Sequence, residues 1–168
     1  FPVEFVEGAA QAAFLDETNW EVPMINDRNL LEGAHVVIWT TTPWTIPGNR
    51  AVAYSPRISY GLYEVTSAEN DFGPQAGEKL IFADALAEES FAKAKLGFTR
   101  LRDVSAEALR LIQLSHPLKG LGGGYEFVVP MLPGDHVTDD AGTGFVHTAP
   151  GHGREDFDAW MDMARDLE

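Results

Sequence analysis

The chain has 168 residues, 45% of them hydrophobic and 23% charged, which is enough for one domain with its own core and argues against wholesale disorder. With no cysteine, disulfide frameworks, thiolate nucleophiles and cysteine zinc sites are excluded, and no apolar run approaches the ~20 residues needed to span a bilayer. The formal net charge of −14 repels phosphate backbones at long range and disfavours broad duplex binding, while leaving open a pocket that grips only the end of a nucleic acid.

Taken in chain order, residues 1–6 (FPVEFV) read as a strand whose partner lies beyond a cut, because the chain starts at Phe1 rather than Met and carries no signal-peptide pattern. Residues 7–33 are mixed and acidic and read mainly as loop. The compact β-branched run HVVIW at 35–39 predicts a buried strand. In TTTPWTIPGN, residues 40–49, Pro43 and Pro47 lack amide protons and forbid a continuing central strand or helix. Strands follow at 51–54 and 57–65, where Ile58, Tyr60 and Leu62 alternate with Arg57, Ser59 and Gly61.

A polar loop over 66–78, with Gly73-Pro74 and Gly77 as breakers, precedes a short strand at 80–82. A helix is expected from Asp84, with Leu86, Ala87, Ser90, Phe91 and Ala94 on one face. Residues 97–104 return to strand, Ser105 caps a short helical turn through Leu109, and KGLGGG at 119–124 is a flexible loop. Strands at 125–131 and 144–149 lead to a second helix over 154–166. Its Phe157, Trp160, Met161 and Ala164 point inward, with Asp158, Asp162 and Asp166 toward solvent. No 20–50-residue repeat is present. The order predicts a single domain over 1–168 of mixed α+β class: a small β-barrel-like mixed sheet with peripheral helices.

Two distant stretches could carry chemistry: WTTTPWTIPGN at 39–49 and DDAGTGFVHTAPGHGREDF at 139–157. Both place hydroxyls, glycines, prolines and a few ionisable groups at the end of a predicted strand, where backbone amides can approach a ligand. Thr40, Thr41 and Thr42 put hydroxyls on both sides of the chain, though threonine also suits a strand and bonds locally. His147, His152 and Asp156 allow a metal reading, but H-x4-H misses the helical i, i+4 pairing and Pro150-Gly151 intervene. The other reading is a pocket. Asp156 falls in the first turn of a helix, where the dipole favours negative charge, and suits a ligand ammonium; as an ordinary capping acid it would need no ligand.

Other signals are weaker. GLGGG lacks the Lys-Ser/Thr of a phosphate loop, no G-x-S-x-G elbow exists, and Ser115-His116 are mere sequence neighbours. His35, His116 and His136 read as structural or surface residues, and Asp135, Asp139 and Asp140 lack calcium-loop spacing.

Together WTTTPWTIPGN and GTGFVHTAPGHGREDF closely resemble the editing domain inserted in isoleucyl-tRNA synthetases, of the fold type shared with valyl and leucyl enzymes. The resemblance spans the whole chain and is strongest at 35–54 and 135–157. Valyl and leucyl relatives characteristically carry arginine in a T-T-R-P pattern; here that place is Thr42, followed by Pro43-Trp44-Thr45. The HIGH and KMSKS motifs of the aminoacylating core are absent. The acidic 7–33 segment and Gly48 before Asn49 depart from common relatives, away from the positions that matter most.

The resemblance implies a cytoplasmic, monomeric domain that hydrolyses Val-tRNA(Ile) with no cofactor, ATP serving only the missing core. Its partners would be the valine-bearing CCA end of tRNA(Ile) and the remaining domains of the synthetase, with no membrane. A pocket built for isoleucine rejects valine poorly, since one methylene is worth about 1–3 kcal/mol, a figure measured on this very enzyme family; a second, smaller pocket can exclude isoleucine by size. Asp156 would hold the α-ammonium, and His147, with Thr148, Gly151 and His152 around it, would line the side-chain pocket. Thr40, Thr41 and Thr42 would position the ester and attacking water, and Trp44 and Asn49 would shape the ribose and adenosine site. Water attacks directly, aided by the free ribose hydroxyl, so positioning supplies much of the rate. The competing readings are a non-catalytic module that binds the CCA end or aminoacyl-adenosine, and a metal-dependent hydrolase built on His147, His152 and Asp156.

Overall fold

The structure, a computed structural model, describes residues 1–4 and 31–166. Two sheets are stacked around one core. Nine strands are described: β1 (Val3–Glu4), β2 (His35–Val36), β3 (Ala51–Tyr54), β4 (Tyr60–Ala68), β5 (Lys79–Ala83), β6 (Leu96–Val104), β7 (Gln113–Ser115), β8 (Val128–Pro133) and β9 (Phe145–Thr148). Three α-helices accompany them: α1 (Asp84–Lys93), α2 (Ala106–Leu111) and α3 (Arg154–Asp166). One sheet has the order β1-β7-β8-β3-β9, the other β2-β5-β4-β6.

The main core lies between the sheets, where Val52, Leu62, Ile81, Leu114, Val129 and Phe145 meet. A second cluster, Tyr63, Val65, Leu80, Phe82, Ala87, Phe91 and Leu96, fills the space between the other face of β4–β5 and α1. These two strands are therefore covered on both sides, so Tyr60 to Tyr63 are all buried and the alternation expected at 57–65 does not sort core from solvent. Burying Phe91 fully is worth about 1.5–3 kcal/mol, and α1 keeps the face expected for it, with Leu86, Ala87 and Phe91 inward.

The mixed α+β class and peripheral helices are as expected, but the barrel is not closed. The sheets join at one edge through the Pro2–His35 bridge, and β1 and β2, two residues each, are too short to complete a ladder. The partner of β1 is inside the chain: Val3 pairs with Leu114 of β7, a three-residue strand too short to show a period in the sequence. The run at 35–39 stops pairing at Val36, and Trp39 is 64% exposed. The strand has therefore ended before Pro43, and the prolines do not forbid every helix: Pro43–Gly48 form a 3₁₀ helix with Pro43 at its first position, where no amide donor is needed, and Pro47 inside it. The loop expected over 7–33 lies, up to residue 30, outside the described residues.

Candidate functional site

β3 is the strand that assembles the site. It pairs in parallel with β8 and antiparallel with β9, in a register that sets Ala51 opposite Thr148 and Val52 opposite His147. The 3₁₀ helix runs into β3 and the APGHG turn leaves β9, so this pairing brings the ends of both stretches together, and the Arg50 amide donates to the Thr148 carbonyl at 2.8 Å.

His147 is buried at the centre. Its Nε2 lies 3.0 Å from Thr45 Oγ1, whose hydroxyl donates to the Thr42 carbonyl at 2.8 Å. Its Nδ1 lies 3.5 Å from Asn49 Nδ2, which donates to the Ala51 carbonyl at 2.7 Å. Burial holds the imidazole below its usual pKa; Asp156 pulls it up and His152 pushes it further down. From the other side buried His116 places Nε2 3.0 Å from the Ile46 carbonyl and takes the Leu118 amide on Nδ1 at 3.1 Å, so the 3₁₀ helix is held between two histidines.

Asp156 sits in the first turn of α3 and accepts the Ala149 amide on Oδ2 at 2.8 Å, which ties the helix to the end of β9. Gly151 and His152 are exposed in the intervening turn. Gly48 is not remote from the site: a Cβ there would lie 2.9 Å from the His152 ring, so this glycine permits the two stretches to close on each other. Gly144, at φ 83°, permits a second close approach; a Cβ would collide with Ala83, and the Tyr60 hydroxyl donates to the Gly144 carbonyl at 2.8 Å.

The threonines lie at or near the surface. Thr40 Oγ1 accepts the Thr42 amide at 3.0 Å and is 3.3 Å from Thr42 Oγ1, while Thr41 and Thr42 are exposed. Trp44 is 72% exposed. Asn49 is fully buried and meets only His147 and the backbone in the hydrogen bonds described above. Its Oδ1, and the hydroxyl of buried Thr148, have no hydrogen-bond partner among the described residues. His147, His152 and Asp156 do not make a metal-holding set: among the described residues no group of three or more His, Asp or Glu could hold an ion. Thr45 enters the sequence reading only within the Pro43-Trp44-Thr45 pattern and carries no assigned role there.

No family model matches the chain. It is 77% identical over 146 residues to an isoleucine–tRNA ligase of Mesorhizobium japonicum, covering 86% of the chain and 15% of that protein. The isoleucine–tRNA ligase of Bradyrhizobium diazoefficiens is 62% identical over 139 residues, with 82% and 14% covered. The chain thus spans about 15% of the length of the curated relatives it matches. In fold it is similar to the solved structure of GlLeuRS-CP1, at TM-score 0.65 and 22% identity over 98% of this chain and 59% of that one. The editing domain of the P. falciparum cytosolic leucyl-tRNA synthetase is similar too, at TM-score 0.64 and 12% identity over 99% and 56%.

Proposed function

We propose, from the premise that this chain is an editing-domain segment homologous to isoleucine–tRNA ligases, that it hydrolyses the ester of Val-tRNA(Ile) in a pocket too small for isoleucine. The observation that carries the reading is the convergence of the two stretches: His147 contacts Thr45 and Asn49 of the first, while Asp156 binds the strand end of the second.

Asp156 keeps one carboxylate oxygen for an α-ammonium, since the Ala149 amide takes the other. The hydroxyls of Thr40, Thr41 and Thr42 position the ester and a water molecule, and local bonds between Thr40 and Thr42 fix part of that array before substrate arrives. Exposed Trp44 offers a ring face to the terminal adenine. The tRNA body would be gripped by other parts of a longer synthetase in the cytoplasm, because a chain of charge −14 attracts phosphate weakly.

The test is deacylation of Val-tRNA(Ile) and Ile-tRNA(Ile), with and without chelator. Hydrolysis of the valyl ester alone, unaffected by chelator and lost in Asp156→Ala with adenosine-end binding kept, is expected. Binding without turnover would leave only a docking module, and chelator-blocked turnover would require a metal.

A further inference from the structure

We propose that Thr45, together with Asn49, is a positioning residue that holds His147 as the neutral tautomer with its proton on Nε2, so that both ring nitrogens are used by the protein and a rigid carbon surface faces the substrate. The assignment follows from donor–acceptor accounting. The Thr45 hydroxyl proton goes to the Thr42 carbonyl at 2.8 Å, so Thr45 Oγ1 offers His147 Nε2 only a lone pair and must accept a proton from it at 3.0 Å. On the other edge, the Ala51 carbonyl at 2.7 Å can be satisfied only by an amide N–H, which fixes the orientation of the Asn49 side chain. Its second N–H then faces His147 Nδ1, at a long 3.5 Å, and that nitrogen must carry a lone pair. A proton on Nδ1 would point at another proton.

The consequence deepens the proposed function and rests on it. An imidazole tied at both nitrogens cannot swing out of the way of one extra methylene, and it cannot act as a general base without breaking the Asn49 contact. Size selection, and not proton transfer, is the role left to it. Thr45 and Asn49 act through the ring and touch no substrate themselves.

Histidine-selective ¹⁵N NMR of this chain tests the tautomer, with the His147 signal assigned by its loss in His147→Gln. Nε2 is expected to resonate as a protonated nitrogen and Nδ1 as an unprotonated one at neutral pH. Thr45→Ser should keep this pattern. Thr45→Val should give mixed tautomers and narrow the valyl-over-isoleucyl deacylation ratio about tenfold, the low end of what one methylene is worth in a pocket. Asn49→Asp, whose carboxylate can only accept at Nδ1 while Thr45 still accepts from Nε2, should put protons on both ring nitrogens. An Nδ1 proton in the unsubstituted chain would overturn the assignment, even if no variant folds. So would a Thr45→Val chain with an unchanged tautomer. A changed tautomer with an unchanged ratio would keep the clamp and remove the size-filter reading.

Discussion

Thr148 combines full burial with a hydroxyl that has no hydrogen-bond partner among the described residues. An unmet buried hydroxyl costs about 1–3 kcal/mol, and an apolar isostere removes that cost. Thr148→Val should therefore leave stability unchanged or raise it by up to ~1 kcal/mol in urea denaturation. If deacylation falls at the same time, the hydroxyl serves the substrate; a clear loss of stability would mean it has a partner within the fold. Gly144 is the opposite case. Its left-handed backbone and the adjacent Ala83 leave no place for a Cβ, so Gly144→Ala should cost more than about 2 kcal/mol in the same measurement. The sequence made His147 and Asp156 visible because ionisable groups between glycines and prolines are unusual. Thr45 and Asn49 were harder to place, since a threonine or asparagine in a turn carries no mark of what it bonds to.

Among the elements, α1 is anchored where its first turn begins. Asp84 receives Arg100 of β6 through two bonds of 2.9 and 2.8 Å and also accepts the Tyr63 hydroxyl of β4. Arg100 is partly solvated, so screening limits the pair, and Asp84→Ala should cost on the order of 1 kcal/mol, less in high salt. α3 shows where periodicity misleads. Its bounds and stripe follow the sequence, yet Phe157 is 48% and Met161 37% exposed, and Trp160 is half-buried. A 3.6-residue period fixes which residues share a face, but not whether a neighbour covers it. Phe157→Ser and Met161→Gln should shift the thermal midpoint of this chain by no more than ~0.5 kcal/mol equivalent. Helices α1 and α3 were legible because their periods run over ten residues or more, whereas β1, β2 and β7 hold two or three residues, too few to display one.

At the scale of the molecule, acid sensitivity follows from its buried imidazoles. Burial holds His116 and His147 below the ordinary imidazole value; Arg50 adds to this for His116, while Asp156 and His152 act in opposite senses on His147. The unfolded chain takes up protons near pH 6.5, before the folded one does. Stability is complete above that value and declines as pH falls through it toward the lower folded pKa values. Asp84, pulled down by its bonds to Arg100, adds a second loss of the same sign below the ordinary carboxylate range. The thermal midpoint should therefore fall between pH 7.5 and 5.5, and a His116→Gln/His147→Gln chain should show a flatter slope. A midpoint that rises on acidification would mean that relief of the −14 self-repulsion dominates.

The placement of β3 also has a consequence in time. Its hydrogen-bonding neighbours are β8 and β9, some eighty and ninety-odd residues further along, so both of its edges stay open until those strands exist. Closing such long loops is slow, and an unpaired apolar strand invites association in the meantime. During translation the threonine-rich stretch is made before the partner that packs against it, His147, has left the ribosome, and a chain that stalls before then exposes AVAY as a sticky edge.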